Sequence, residues 1–344
     1  MALPASGQIT LNQVNVELGN SGTAQIGLGD SAVRGLFGVA TGQITMANGY
    51  GKSNVYEVVI SSSRNNISSL SSYATSDGWN GTQALQLTVN SGVYLYGDQT
   101  GGTASHRPPY PASTSGDPAL VVDVAGATIV NSGYIMGRGG ENTYWQSPSV
   151  GDTNYGGVAI TIQATGVTVQ NNSGAFIAGG GGTGGNGSAQ MSGAGAGGGR
   201  GGPGYPSGSG GSAGGIGASG GNGSSGGNGG GAGGGGGAAF SGPPGWDLRA
   251  GGGSGRILPG VGGAAQSGAR VGGAGGSGGN VGGDGAGGGF ASGSGGGGWG
   301  ADGGTYPGGP FGGGGGNAIW PNTGVSPSYS YTLVNNGTIY GATS

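Results

Sequence analysis

The 344-residue chain has no cysteine, one histidine and only nine basic residues, and each scarcity removes a class of chemistry. Without cysteine there is no disulfide framework and no thiolate metal site. The lone His106 cannot build a two-histidine metal site, and beside Arg107-Pro108-Pro109 it reads as a loop residue. Nine basic residues against twelve acidic ones, for a net charge of −3, argue against a nucleic-acid surface, which needs clustered Lys and Arg. A glycosidase needs two carboxylates flanking the scissile bond. Folding could bring Asp117 or Asp98 to Asp123, but nothing in their spacing predicts it. Matches to Gly-x-Gly-x-x-Gly carry no weight at this composition, because the fingerprint requires a βαβ context that is missing. The expectation is therefore no enzyme, no catalytic residue, no cofactor and no metal. No apolar run approaches the roughly 20 residues of a membrane span. Met1-Ala2-Leu3-Pro4 lacks the basic and apolar regions of a signal peptide, so synthesis in a cytoplasm is expected.

What the chain has is glycine: 101 residues, where about 7% is ordinary. Charged residues make up 6%, against about 25% in typical domains. A disordered linker would be rich in Glu, Lys, Ser and Pro. This chain is poor in the first two and has 15 Pro. Composition shifts divide it into residues 1–53, 54–178, 179–317 and 318–344.

Residues 1–53 read as a small helical module. Thr10-Leu11-Asn12-Gln13 fits a capping box, after which Leu11, Val14 and Leu18 share a helical face and Gly19 can end the helix. A second helix is expected from Ser31 to Phe37, with Asp30 as N-cap and Val33, Leu36 and Phe37 as its apolar stripe.

Residues 54–178 read as β-rich. Val55–Ile60, Ala84–Tyr96, Ala119–Met136 and Val158–Ile177 are rich in strand formers and separated by turn-forming clusters. A short pattern recurs at Val89-Asn90-Ser91-Gly92, Val130-Asn131-Ser132-Gly133 and, more loosely, Asn172-Ser173-Gly174. The fourth copy, Val334-Asn335-Asn336-Gly337, lies near the C-terminus. Each copy turns the chain between two strands, which fits either independent hairpins or a β-solenoid with Asn-Gly corners. In both cases the fourth copy implies a long excursion that returns to the β-layer in residues 318–344.

The excursion, residues 179–317, is more than half glycine. Gly recurs every third position from Gly208 to Gly229 and from Gly273 to Gly288. Period 3 matches a left-handed threefold helix. Collagen would need an unbroken register and abundant proline, which are absent. Such a helix makes no internal hydrogen bonds, so its backbone groups must pair with neighbouring helices, and glycine permits the close approach. The bulkier residues are grouped, as helix ends and loops would be. Tyr205, Phe240, Trp246, Arg249, Arg256, Leu258, Phe290, Trp299, Tyr306 and Phe311 are the candidate receptor contacts, since aromatics and Arg dominate binding hot spots. The alternative is that the aromatics only cap the bundle.

The N-terminal stretches resemble a known module. Leu3-Pro4-Ala5-Ser6-Gly7-Gln8-Ile9, Leu11–Gly19, Asp30-Ser31-Ala32-Val33-Arg34, Leu36-Phe37-Gly38 and Gly49-Tyr50-Gly51-Lys52-Ser53 are similar to an attachment module of tailed-bacteriophage tail-fibre and tail-tip proteins. Gly78-Trp79-Asn80-Gly81-Thr82 and the Asn-Gly copies resemble the same group. The glycine block resembles the distal adhesins of T-even-like phages, in which stacked polyglycine II helices present receptor-binding loops. The expected fold class is thus mostly β plus irregular: a helical module, a β-rich layer (solenoid or hairpins) and a polyglycine II helix bundle. The resemblance implies a virion tail location and two kinds of partner: other phage tail proteins, and a host outer-membrane protein or surface glycan. A homotrimer is expected of a fibre component, although no heptad repeat marks one. The alternative is a structural tail-tip or fibre-adaptor protein that binds no receptor itself.

Overall fold

The computed structural model describes residues 2–97, 118–139, 156–182, 297–305, 312–321 and 329–343. The chain divides into two compact units: Met1–Val58 with Ala74–Leu87, and Val59–Tyr73 with Thr88–Ser344.

In the first unit, the Thr10 hydroxyl accepts from Gln13 N–H at 3.3 Å, and Gln13 Oε1 accepts from Thr10 N–H at 2.8 Å. This capping box starts helix α1, Leu11–Glu17. Helix α2, Ser31–Phe37, ends at Gly38 in the left-handed conformation. Asp30 precedes it but makes no side-chain cap; its carboxylate accepts from Gly27 N–H at 2.8 Å instead. Val14, Val33, Leu36 and Phe37 pack with Leu3 and Ile9 into the module's core, while Leu11 stays 39% exposed. Glu17 Oε1 accepts from Ser53 Oγ at 3.0 Å and Asn54 N–H at 2.9 Å, tying α1 to the end of the module.

A third helix, α3 (Leu70–Asp77), interrupts the β-rich region where only strands were expected. Its sequence, Leu-Ser-Ser-Tyr-Ala-Thr-Ser-Asp, has little amphipathic pattern, and Ser competes for backbone groups in helices. A distant side chain organises its start. Asp123 accepts from Ser69 Oγ (2.6 Å), Ser71 N–H (2.8 Å) and Ser71 Oγ (2.7 Å).

The strands are β1 (Val55–Ile60), β2 (Arg64–Asn65), β3 (Ala84–Val89), β4 (Tyr94–Tyr96), β5 (Leu120–Val122), β6 (Thr128–Asn131) and β7 (Tyr134–Met136). They continue as β8 (Ile160–Ile162), β9 (Val167–Asn171), β10 (Phe176–Ala178), β11 (Ile319–Pro321), β12 (Tyr331–Asn335) and β13 (Thr338–Tyr340). They form three sheets, ordered β1-β3-β6-β9-β12, β2-β4-β7-β10-β13 and β5-β8-β11. Hairpins would place the strands flanking each Asn-Gly copy side by side and antiparallel. Instead, β6 and β7, like β9 and β10, lie in different sheets. Each pairs in parallel with its counterpart from another copy, as in β6 with β9, β7 with β10, and β5 with β8. The C-terminal strands join the same stacks: β12 pairs with β9 and β13 with β10.

Parallel stacking repeats each side-chain position along a row. Leu95, Ile135 and Ile177 align and are fully buried, as are Leu120, Ile160 and Ile319 in the third sheet. A third row is polar. Asn131 Nδ2 donates to Asn171 Oδ1 at 2.9 Å, and Asn171 Nδ2 donates to Asn335 Oδ1 at 2.8 Å. Asn131 and Asn171 are fully buried, and each also donates to a carbonyl of the following corner, Phe176 or Thr338. The row begins one copy late. Ser132 N–H donates to Val89 O just as Asn172 N–H donates to Asn131 O, so Val89, not Asn90, occupies the equivalent place.

Candidate functional site

The long connections of the β-layer converge on one corner. β4, β7 and β10 end at Tyr96, Met136 and Ala178, which are in register across the second sheet. In each case the chain next enters the third sheet, at Leu120, Ile160 and Ile319, which are again in register. Connections 97–119, 137–159 and 179–318 therefore leave from one row and return to another. Neighbouring strands lie about 4.8 Å apart, so the three mouths stand side by side.

At the mouths the packing is backbone against backbone. Gly157 N–H donates to Arg138 O (2.6 Å), Gly180 N–H to Gly157 O (2.9 Å) and Gly316 N–H to Gly180 O (2.7 Å). The outgoing and returning legs of the longest connection are bonded to each other. Gly300 N–H donates to Gly179 O (2.8 Å), Gly182 N–H to Ala301 O (3.0 Å) and Gly297 N–H to Gly182 O (2.9 Å). Gly303 N–H donates to Gly313 O (2.9 Å), and Asp302 Oδ1 accepts from Gly315 N–H (2.8 Å). Side chains have no room here. A methyl group on Gly156 would overlap the Gly180 carbonyl, one on Gly180 the Arg138 carbonyl, and one on Gly182 the Gly313 carbonyl. Glycine supplies what these segments need: close approach, with each backbone group finding its partner on another segment.

Beside this junction runs an aromatic column on the outer face of the second sheet. Tyr94, Tyr134 and Phe176 stack along one row because parallel pairing aligns them. Ring centroids are 4.6 Å apart for Tyr94–Tyr134 and 4.4 Å for Tyr134–Phe176. Trp299, on the returning leg, adds the next ring at 4.6 Å from Phe176 and 5.6 Å from Tyr340. Burial, with the neighbouring Tyr134 phenol, pushes the Tyr94 hydroxyl above its usual pKa.

Of the ten candidate receptor contacts, Trp299 is described. It is 4% exposed, packed with Met136 and Ala178 and flanked by Phe176 and Tyr340. Tyr205, Phe240, Trp246, Arg249, Arg256, Leu258, Phe290, Tyr306 and Phe311 lie outside the described residues, as do His106, Asp98 and Asp117. Asp123 is engaged with Ser69 and Ser71. Burial alone would raise its pKa, but these hydrogen bonds outweigh that and hold it below the usual carboxylate range. Among the described residues, no cluster of three or more His, Cys, Asp or Glu could hold a metal ion. The junction glycines and the aromatic column escaped the sequence reading. The column was visible as Tyr94, Tyr134, Phe176 and Tyr340, each shortly after an Asn-Gly corner, but nothing in the sequence aligned Trp299 with them.

The parallel strands thus stack so that the long connections leave from one row and return to another. The family model for the phage tail fibre adhesin Gp38 matches residues 55–234, just over half of the chain, beginning at the first residue of β1. No curated protein and no solved structure matches the chain. The chain belongs to the phage tail fibre adhesin family: it is a bacteriophage tail-fibre protein of host recognition.

Proposed function

We propose that the chain attaches to the virion through residues 1–53 and recognises a host outer-membrane protein or surface glycan through loops of the glycine-rich block 179–317. The observation that carries this reading is the corner. Three connections, the glycine-rich one longest, leave from and return to adjacent strands of one parallel stack, and family membership supplies the adhesin role. On this reading the three sheets are the faces of one β-solenoid. The glycine-to-glycine hydrogen bonds at the mouths support a continuation as packed polyglycine II helices. The host cytoplasm makes the chain, three copies act together, and it catalyses no reaction.

The test is adsorption. Purified protein should compete with phage for host cells. Replacing Phe240–Pro259 with Gly/Ser should change host range while particles still assemble. Competition that persists with the same host range after replacement would remove that loop as the contact. Absence of competition by the intact chain would leave a fibre-adaptor role. Release of reducing sugar from host polysaccharide would replace both with an enzyme.

A further inference from the structure

We propose that Trp299 is the positioning residue of the adhesin: a latch that closes the neck of the glycine-rich excursion and fixes its orientation on the β-layer. This rests on the reading that the excursion carries the receptor contacts. The neck consists of an outgoing leg, residues 179–182, and a returning leg that starts at Gly297. Four backbone hydrogen bonds join them, between Gly300 and Gly179, Gly182 and Ala301, Gly297 and Gly182, and Gly316 and Gly180. Glycine segments bring almost no apolar surface, and ordering glycine costs more backbone entropy than ordering any other residue. Hydrogen bonds that merely replace bonds to water offset little of that cost.

Trp299 is the one large side chain on the described part of the returning leg, Gly297–Thr305. It is 4% exposed, and its ring rests on side chains of the second sheet, not on its own leg: Phe176 and Tyr340, with Met136 and Ala178 beneath. The residue that follows it is fixed by backbone crowding. Gly300 has φ +63, and a side chain there would run into the backbone of Gly341. The ring is thus the large apolar anchor of a leg whose other described contacts are mostly backbone hydrogen bonds.

One detail separates a packing latch from a polar one. The buried indole Nε1 has no hydrogen-bond partner among the described residues. The ring is therefore held by stacking and burial, and a smaller aromatic ring without the N–H should still serve. Phenylalanine at 299 should close the neck, and alanine should not.

The experiment uses the full chain as wild type, Trp299→Phe, Trp299→Ala and Gly300→Val. The last variant pushes a side chain into the neck without removing the ring. Hydrogen exchange is followed on peptides covering Gly179–Gly182 and Gly297–Ala301, and on peptides covering β7 and β9 as an internal reference. Competition for phage adsorption is measured on the same samples. The latch requires that Trp299→Ala and Gly300→Val exchange faster at the neck while β7 and β9 stay protected. It also requires that both lose about tenfold or more in competing potency and that Trp299→Phe behaves as wild type in both measurements. Unchanged neck exchange in Trp299→Ala overturns the proposal. So does equal loss of protection in β7 and β9, which would make Trp299 a general core residue. So does an opened neck with undiminished competition, which would deny it a positioning role. A wild-type chain that fails to compete sinks the receptor reading instead, and the exchange arm then judges the latch by itself.

Discussion

At the scale of single residues, the described structure depends on polar groups whose partners lie far away in sequence. Asp123 is the clearest case, because it starts helix α3 from 52 and 54 residues away. Its pKa is lower folded than unfolded, so its contribution to stability is present above the ordinary carboxylate pKa and is lost as pH falls through the folded value. Asp123→Asn should therefore lower stability at neutral pH by about 1–2 kcal/mol, a figure that allows for its partial exposure. The gap to wild type should begin to narrow below about pH 4, where the unfolded carboxylate takes up its proton, and close once the pH has fallen through the lower folded value. Thermal unfolding of the two proteins between pH 3 and pH 7 checks this; a gap independent of pH would mean the carboxylate charge is irrelevant. Glycines show a different residue-level demand within one recurring motif. Gly92 has φ +75 with open space around it, whereas a methyl group on Gly133 would overlap the carbonyls of Asn90 and Val93. Gly92→Ala should cost about 1 kcal/mol, the strain of a left-handed alanine. Gly133→Ala should cost clearly more, because two fixed carbonyls must move; denaturant midpoints of the two variants give the ranking.

At the scale of elements, periodicity served where an element is decided locally. The capping box of α1, the stripe of α2 and the strand-forming runs were all readable, because each depends on neighbours in sequence. Helix α3 was not readable, because its start is satisfied by Asp123. Whether each Asn-Gly copy made a hairpin or a corner was not readable either. A turn of the chain is local, but the choice between pairing with the adjacent strand and with one about forty residues on is made by burial of whole rows. The asparagine row shows this: Asn171 bonds to Asn131 on one side and to Asn335 on the other, across sequence separations of 40 and 164. The fourth copy is spaced unevenly from the first three because the third connection is far longer than the other two, though all leave the same corner.

At the scale of the whole molecule, the proposed function gives the N-terminal module and the β-layer separable roles. Gly49 lies against the buried Phe37 ring, and an added Cβ would sit 2.6 Å from it. Gly49→Val should therefore disrupt the module's core, lowering the amount of adhesin in purified particles while leaving the isolated chain able to compete for host cells. Unchanged incorporation would separate attachment from the packing of this module. The sequence by itself determined the positions of most strands and two helices, and the concentration of glycine, because composition and periodicity are properties of the chain alone. Only the tertiary structure decided that the strands stack in parallel, that three connections share a corner and that Trp299 is buried instead of displayed. Those facts depend on which distant segments become neighbours. Contact between segments far apart in sequence leaves its mark on a single chain only where both partners must be unusual, as with the junction glycines, and a lone tryptophan bears no sign of the ring it will meet.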